Sequence, residues 1–295
     1  AAVGGRLYVF GGANAKTLPT AQRFNPLTGS WCWLPRMSQH RLAASAAVVG
    51  SRIYILGGRN ARQALSSVES FDTVSNSWRR EMFMNLPRFC MATGVLGGCI
   101  YACGGCDTGL APREKVLDFV ERFSPQQGEW QVMSPMLQGR CAAAAACITG
   151  KLCIIAGYCS HQPLSSAECF VPSLGYWQWL PSMSRCRSVF AAAEVAGQLY
   201  VCGGHDGQGP LNTVERFDPV AHKWEILPPM AHPRAAPIAV LASGCLVVCG
   251  GRNKHGALSA AERFIPETGV WEQLPPMLQR RSELQSFVVP CVRRS

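Results

Sequence analysis

Two short stretches of the sequence have the spacing of metal-binding or redox-active thiols. Cys103 and Cys106 form a C-x-x-C pair, and Cys202 and His205 repeat that spacing. A structural zinc site needs four ligands, and both pairs arise because a cysteine precedes a recurring Gly-Gly. We therefore predict no metal and no cofactor. Cys106 and Cys159 lie in predicted exposed loops and remain candidates for reactive thiols, since reactivity depends on a lowered pKa.

A long repeat organises the whole chain. Tryptophan, five residues, methionine, three residues and arginine recur six times, and the tryptophans are 47, 52, 47, 47 and 47 residues apart. A fixed period of this length indicates a repeat architecture. The six sets are Trp31/Met37/Arg41, Trp78/Met84/Arg88, Trp130/Met136/Arg140, Trp177/Met183/Arg187, Trp224/Met230/Arg234 and Trp271/Met277/Arg281.

Further residues recur in phase with this skeleton. An apolar run ends in two glycines, such as Gly57-Gly58, although the fourth copy reads Ala156-Gly157. A phenylalanine stands seven residues before each repeat tryptophan. Two residues before that phenylalanine stands a glutamate, except in the first copy, which has Gln22. This combination resembles the kelch repeat over nearly the whole chain. It resembles above all the kelch domains of BTB-kelch (Kelch-like) proteins.

Each repeat is predicted to form four short antiparallel strands, A to D. In the fifth repeat these are about 188–195, 198–203, 213–218 and 224–228. Four-stranded repeats arranged radially make a β-propeller, so we predict an all-β, six-bladed kelch propeller. Residues 281–289 resemble another strand A and are predicted to close the ring as the inner strand of blade 1. We expect one domain over 1–295, excised from a longer BTB-BACK-kelch chain.

Composition narrows the class of protein. The chain is 48% hydrophobic and 16% charged, so a core is easily supplied. No apolar run has the length of a membrane span, and no signal-peptide pattern is present. Most of the 15 cysteines occupy predicted strands at repeat-equivalent positions. These features favour an intracellular protein of the cytoplasm or nucleus, where thiols stay reduced.

The repeated residues are predicted to be structural. We expect the Trp and Phe of each repeat to fill the space between neighbouring blades. The Arg and the strand-C Glu recur together, so they are predicted to form an ion pair or hydrogen-bond set in each blade. The first blade, which carries Gln22, should lack the full pair.

The binding face is predicted from topology. In an A-B-C-D meander the B–C loops and the D–A linkers lie on one side, and binding resides in loops on a rigid scaffold. The third B–C loop, 106–118, is the longest. By resemblance to Kelch-like proteins, contacts follow the double glycine, lie further along the loop, and follow the repeated Arg. The candidate partner-binding residues are Arg59, Asn60, Arg62, Phe89, Arg113, Tyr158, His161, Ser188, His205, Arg252, Asn253, His255 and Ser282.

Charge indicates the kind of partner. The net charge is +10, and 23 of the 28 cationic residues are Arg. Because Arg presents a planar fork that suits carboxylates, this face should attract an acidic or short linear peptide. The alternative for the third loop is an insertion without function. The alternative for the charge is a generally basic surface that aids solubility.

The predicted function is protein interaction. By resemblance, the chain would be the substrate-recognition domain of a cullin-RING ubiquitin ligase adaptor, whose BTB region binds the cullin and dimerises. The alternative is an actin-binding or scaffold kelch protein. We predict no enzyme activity. Four of the six Tyr occupy the strand-B repeat position, where packing explains them, and the Tyr and His ligand pattern of the kelch-type copper oxidases is missing. We also predict no nucleic-acid partner, since the loops lack interleaved aromatic residues that stack bases, and no membrane partner.

Overall fold

A computed structural model describes residues 1–11, 18–25, 28, 30–107, 115–242 and 244–277 of the chain. The chain divides into two compact units, Ala1–Cys141 and Ala142–Ser295. Each unit contains three four-stranded antiparallel sheets. Within the described ranges, no helix is long and apolar enough to cross a membrane.

The first unit contains three consecutive sheets and one small hairpin. The first sheet consists of β1 (Ala2–Val3), β2 (Arg6–Phe10), β3 (Ala21–Asn25) and β4 (Ser30–Leu34). The second consists of β5 (Ser45–Val49), β6 (Arg52–Leu56), β7 (Val68–Asp72) and β8 (Ser77–Glu81). The third consists of β9 (Ala92–Leu96), β10 (Cys99–Cys103), the loop hairpin β11 (Cys106–Asp107) and β12 (Lys115–Val116), then β13 (Val120–Ser124) and β14 (Glu129–Met133).

The second unit repeats this pattern. Its first sheet consists of β15 (Ala144–Ile148), β16 (Lys151–Ile155), the hairpin β17 (Tyr158–Cys159) and β18 (Gln162–Pro163), then β19 (Ala167–Val171) and β20 (Tyr176–Leu180). Its second consists of β21 (Ala191–Val195), β22 (Gln198–Cys202), β23 (Val214–Asp218) and β24 (Lys223–Leu227). Its third consists of β25 (Ile238–Ala242), β26 (Cys245–Cys249), the hairpin β27 (Arg252–Asn253) and β28 (Gly256–Ala257), then β29 (Ala261–Ile265) and β30 (Val270–Leu274).

Every sheet is a meander in which each long strand pairs with the next in sequence. This is the blade of a β-propeller, and the predicted all-β, six-bladed propeller is confirmed. The four strands predicted in the fifth repeat match β21 to β24, although the observed β21 begins at Ala191 rather than near 188. The predicted closing strand, 281–289, lies outside the described residues. Ala2 and Val3 pair with Leu7 and Arg6 in the strand-A position of the first blade.

Aromatic rings fill the space between neighbouring blades, as predicted. In the second blade the ring centroids of Phe71 and Trp78 are 5.0 Å apart. The indole N–H of Trp78 donates a hydrogen bond of 2.8 Å to the carbonyl of Pro35. Pro35 directly follows the last strand of the first blade. Trp224 bonds the carbonyl of Pro181 in the same way at 2.8 Å. The repeat tryptophan therefore ties its blade to the preceding one.

The double glycine ends strand B in a conformation that other residues rarely adopt. Gly57 and Gly58 have φ of 56° and 88°. A Cβ atom on Gly57 would lie 2.4 Å from the carbonyl oxygen of Arg88. That oxygen accepts a hydrogen bond from the Gly58 N–H at 2.9 Å. The glycine is therefore required both by its backbone angle and by the close approach of the next linker.

Buried ion pairs join the repeat Arg to the strand-C Glu, as predicted, in four of the described blades. Each of the paired side chains is at most 3% exposed. The pairs are Arg41–Glu69 at 2.8 Å, Arg187–Glu215 at 2.6 Å, Arg234–Glu262 at 2.7 Å, and Arg88–Glu121. Arg140 and Glu168 are both buried as well. Arg281 lies outside the described residues, so the incomplete pair in the first blade stays a prediction.

Replacing Gly57 by alanine should destabilise the protein much more than the same change at Gly50. Both glycines have positive φ, but nothing lies within 4 Å of a Cβ atom built on Gly50. We expect Gly57→Ala to lower the free energy of unfolding by about 3 kcal/mol and Gly50→Ala by about 1 kcal/mol. Urea unfolding followed by tryptophan fluorescence measures both. Equal losses would show that the close approach at Gly57 carries no energetic weight.

Removing one carboxylate from a buried pair should cost far more than removing one from an exposed pair. Glu262 pairs with the buried Arg234. Glu272 pairs with Arg263, and both of these side chains are about 44% exposed. Glu262→Gln leaves a buried guanidinium without its counter-charge, so unfolding should become easier by about 3 kcal/mol. Glu272→Gln should change stability by less than about 1 kcal/mol. Denaturant titration of both variants measures the difference, and comparable effects would contradict a structural role for the repeated pair.

Candidate partner-binding surface

In four of the described blades the repeated arginine closes the base of the B–C loop. In the second blade, Nη1 of Arg41 donates hydrogen bonds to the carbonyls of Gly57 (2.7 Å) and Ser67 (2.9 Å). Gly57 follows strand B and Ser67 precedes strand C, so one guanidinium joins the two ends of the loop. Burial lowers the pKa of Arg41, and Glu69 opposes that shift. Arg88, Arg187 and Arg234 bridge the equivalent carbonyls Gly104/Phe119, Gly203/Thr213 and Gly250/Ala260.

The paired glutamate holds the D–A linker against the same loop. Oε2 of Glu69 accepts a hydrogen bond from the N–H of Ser38 at 2.8 Å. Glu215 and Glu262 accept equivalent bonds from the N–H groups of Ser184 and Ala231. One buried ion pair therefore fixes the B–C loop and the D–A linker together, and these are the two elements of the predicted binding face.

The loops themselves are narrow hairpins paired to the linkers. Arg59, directly after the double glycine, bridges Leu42 of the linker and Ala64 across its own loop. Ser188 and His205 pair in the same way, as do Ala235 and Arg252. In four of the described blades the structure thus brings together the residue after the double glycine and the residue after the repeated Arg. Both positions belong to the predicted binding face.

In the first unit, two candidate residues form a cation–π pair. The guanidinium carbon of Arg59 lies 5.0 Å from the ring centroid of Phe89. Phe89 is buried, with 5% exposure, and its backbone exchanges two hydrogen bonds with Cys106. Phe89 therefore orients Arg59 from below. Cys106, expected in an exposed loop, is buried here.

Asn60 shapes the loop that presents Arg62. Its side-chain oxygen accepts hydrogen bonds from the N–H groups of Arg62 (2.8 Å) and Gln63 (2.9 Å). Such a turn fixes the loop tip. The Arg62 side chain is exposed and lines a groove of about 590 Å³ in the first unit.

In the second unit, Tyr158 and His161 belong to the β17–β18 hairpin. Tyr158 pairs with Pro163, and His161 occupies the exposed turn with φ of 66°. Tyr158 is half-buried. His161 is thereby placed at the tip of a tight two-residue turn, where it faces solvent.

His205 and Ser188 lie side by side in the fifth blade. Nδ1 of His205 accepts a hydrogen bond from the N–H of Gly207 at 3.0 Å. The next residue, Asp206, accepts bonds from the N–H groups of Gln208 and Gly209. Burial raises the pKa of Asp206, but the hydrogen bonds from Gly209 and Gln208 lower it by more. Ser188 is 8% exposed, so its side chain lies beneath the loop.

Arg252, Asn253 and His255 form the hairpin of the sixth blade. Arg252 and His255 are exposed. The side chain of Asn253 accepts a hydrogen bond from the N–H of His255 at 2.8 Å, so it repeats the turn-forming role of Asn60. Lys254 adds an exposed cation between them.

Two candidate residues, Arg113 and Ser282, lie outside the described residues. So do residues 108–114 of the long third loop, of which the structure describes the flanking hairpin β11–β12. Over the described positions, no three His, Cys, Asp or Glu side chains are grouped to hold a metal ion. Fourteen cysteines are described, and all are free.

Two further residues of this surface, the linker residue Phe83 and the loop residue Asp206, are not among those predicted from the sequence. Phe83 is 60% exposed and lines the same groove as Arg62. Arg185 lies 3.8 Å from Asp206 at the edge of the fifth loop. A comparison of the D–A linkers would have found Phe83, because Glu81-Met82-Phe83-Met84 stands where four repeats have Leu-Pro-x-Met.

The second residue after the repeated Arg is strained in every linker that the structure describes. Ala43, Cys90, Ala142, Val189 and Ala236 all have φ between 44° and 54°. The N–H of Cys90 bonds the carbonyl of Ala43 at 2.9 Å, and the N–H of Ala236 bonds that of Val189 at 2.6 Å. The left-handed conformation therefore recurs at a point where neighbouring linkers hydrogen-bond to one another, and at Val189 it falls on a β-branched residue, for which it is rare.

Comparisons with known proteins define the family. The kelch motif matches residues 139–184, 186–231 and 234–278. The KLHDC2/KLHL20/DRC7 Kelch-repeats domain matches residues 1–157. The chain therefore belongs to the kelch-repeat family, and it is a kelch propeller, a protein-interaction module.

Individual relatives are distant. Kelch-like protein 23 of Homo sapiens is 25% identical over 53% of this chain and 28% of its own length. F-box/kelch-repeat protein SKIP11 of Arabidopsis thaliana is 26% identical over 45% of this chain and 28% of its own length. The chain thus spans under a third of these relatives. The solved structure titled "Structure of YjhT" superposes with a TM-score of 0.77 at 16% identity, covering 93% of this chain and 96% of that one. At this identity the likeness shows the fold.

Relieving the strain at Val189 should stabilise the protein. Asparagine tolerates the left-handed region better than a β-branched residue, and Val189 is 39% exposed. We expect Val189→Asn to raise the free energy of unfolding by about 1 kcal/mol. Val220, 92% exposed and outside the left-handed region, provides the matched control, since Val220→Asn should change stability by less than about 0.5 kcal/mol. Denaturant unfolding measures both, and a destabilising Val189→Asn would show that the linker does not store strain.

Proposed function

We propose that this chain recognises substrate proteins for a cullin-RING ubiquitin ligase, by binding acidic or short linear segments on its B–C loops and D–A linkers. One observation carries the proposal: the loop bases are held alike while the presented side chains differ. Equivalent positions after the double glycine hold Arg59, Tyr158, His205 and Arg252, while the third blade has the buried Cys106 there. A structural position would repeat, whereas a recognition position varies with the ligand.

Charge supports an acidic partner. Arg62, Arg252, Lys254 and His255 are exposed on these loops, and the chain carries a net charge of +10. Guanidinium groups bind carboxylates in a bidentate geometry, and a positive field raises the association rate of an acidic segment. Arg59 is held by its ring contact with Phe89, which reduces the entropy lost on binding.

The ligase role rests on relatives of two kinds. Kelch-like and F-box/kelch-repeat proteins both match this chain, and the resemblance to BTB-kelch proteins supports an adaptor. Cullin binding and self-dimerisation would then belong to a BTB region rather than to these repeats. An intracellular site, in the cytoplasm or nucleus, fits the free cysteines of the described residues. An actin-binding or scaffold role is the alternative.

Capture from cell lysate under proteasome inhibition tests the binding face. Arg59→Glu/Arg252→Glu should lose a prey protein that carries an acidic segment. Each change puts a carboxylate where a carboxylate of the prey would bind, so the two repel each other. Lys151→Glu/Lys223→Glu is the matched control: it makes the same charge change, two residues each from +1 to −1, at the first residues of β16 and β24, next to the A–B and C–D turns. Mass spectrometry identifies the prey, and thermal melting verifies that all baits fold.

Two outcomes would contradict the proposal. Equal capture by both double variants would mean that the face is wrongly assigned. A prey that binds through Arg59 and Arg252, but whose cellular abundance is unchanged when the protein is deleted, would favour the scaffold role over the ligase role.

A further inference from the structure

The linker after the second blade departs from the repeat. Met82 and Phe83 stand where four other repeats have Pro followed by Arg, Ser or Pro. Their side chains are 59% and 60% exposed. The backbone of Met82 keeps the structural role of the linker, since its carbonyl accepts the indole hydrogen bond of Trp130 at 2.9 Å. The exposed Phe83 ring is therefore not explained by the packing of the repeat.

Phe83 lines a groove of about 590 Å³ within the first unit. The B–C loop of the second blade contributes Arg62 and Gln63, the linkers contribute Gln39, Phe83 and Pro87, and Asp107 follows the third blade's double glycine. A groove of this volume is of the size that holds a small ligand or a short stretch of peptide. Most of its lining residues are polar, and Phe83, Pro87, Ala64 and Leu65 supply the apolar part.

The groove is preformed by backbone hydrogen bonds. The N–H of Leu65 bonds the carbonyl of Gly58 at 2.8 Å, and the N–H of Met84 bonds that of Ser66 at 2.8 Å. The N–H of Arg88 bonds the carbonyl of Leu65 at 3.0 Å. Loop and linker are thus joined along the floor, so a bound segment would not have to order them.

The polar groups of the groove suit an extended segment with a carboxylate. The Arg62 guanidinium is exposed, and over the described part of the chain it forms no ion pair. The Gln39 side-chain oxygen accepts a hydrogen bond from the Ser67 hydroxyl at 2.8 Å, which directs its amide NH₂ away as a donor. Arg62 and Gln39 can therefore bind a carboxylate and a backbone carbonyl beside the Phe83 ring.

We propose that this groove binds an extended peptide of a partner protein, with a bulky apolar side chain against Phe83 and Pro87 and a neighbouring carboxylate on Arg62. The inference rests on the proposed interaction function and names the peptide chemistry of one part of the loop surface. Phe83 supplies apolar contact area, and Arg62 distinguishes acidic from basic neighbours of the anchor.

A displayed library of random peptides of about twelve residues, selected on the immobilised chain, tests this. Enriched peptides should share Leu, Phe or Trp close to Asp or Glu. Affinity of the consensus peptide, measured by fluorescence anisotropy, should fall about tenfold or more for Phe83→Ser and for Arg62→Glu. The matched controls Ile226→Ser, another exposed apolar residue, and Lys223→Glu should leave affinity within about twofold. A peptide with Lys in place of its acidic residue should regain binding to Arg62→Glu.

Other outcomes overturn the groove. If the consensus peptide binds Phe83→Ser and Arg62→Glu normally but loses affinity for Arg59→Glu/Arg252→Glu, the groove is not the site although the interaction function stands. If no sequence is enriched over an unrelated immobilised protein, the groove proposal also fails, and lysate capture still decides the wider function.

Discussion

The buried ion pair between the repeated Arg and the strand-C Glu is the interaction on which the loops and linkers of four described blades depend. In four blades the repeat Arg neutralises a buried Glu and bonds the carbonyls at both ends of the B–C loop. A buried ion pair is favoured when further hydrogen bonds satisfy its remaining donors and acceptors. Here the Gly carbonyl, the carbonyl before strand C and a linker N–H satisfy most of them, so the loop base, the linker and strand C hold one another. Nε of Arg88 and Nε of Arg187 are buried without a hydrogen-bond partner.

This arrangement separates stability from recognition. The pair, the double glycine and the Trp bond to the preceding blade use residues that recur, and they fix the backbone from which the loops project. The loop tips add only local turns, such as those made by Asn60 and Asn253. Arg59, His205 and Arg252 can therefore differ in chemistry without disturbing the sheet beneath them.

Departures from the repeat are the most informative positions. Val189 has a backbone angle that suits glycine, and its carbonyl accepts a hydrogen bond from the next linker. Phe83 exposes an aromatic ring where other linkers place Pro, Ser or Arg. The first departure stores strain within the linker. The second places an aromatic ring in one groove, at a position where the other linkers have no aromatic residue.

The sequence alone determined the number of blades, the strand order, the Arg–Glu pairs and the two elements of the candidate face. Periodicity carries that information, because each repeat must bury the same residues against its neighbours. Only the tertiary structure showed that Phe89 is buried beneath Arg59, that Asn60 and Asn253 shape turns, and that Phe83 and Arg62 share a groove. Such contacts join residues from different repeats or depend on loop conformation, and neither is encoded in the period.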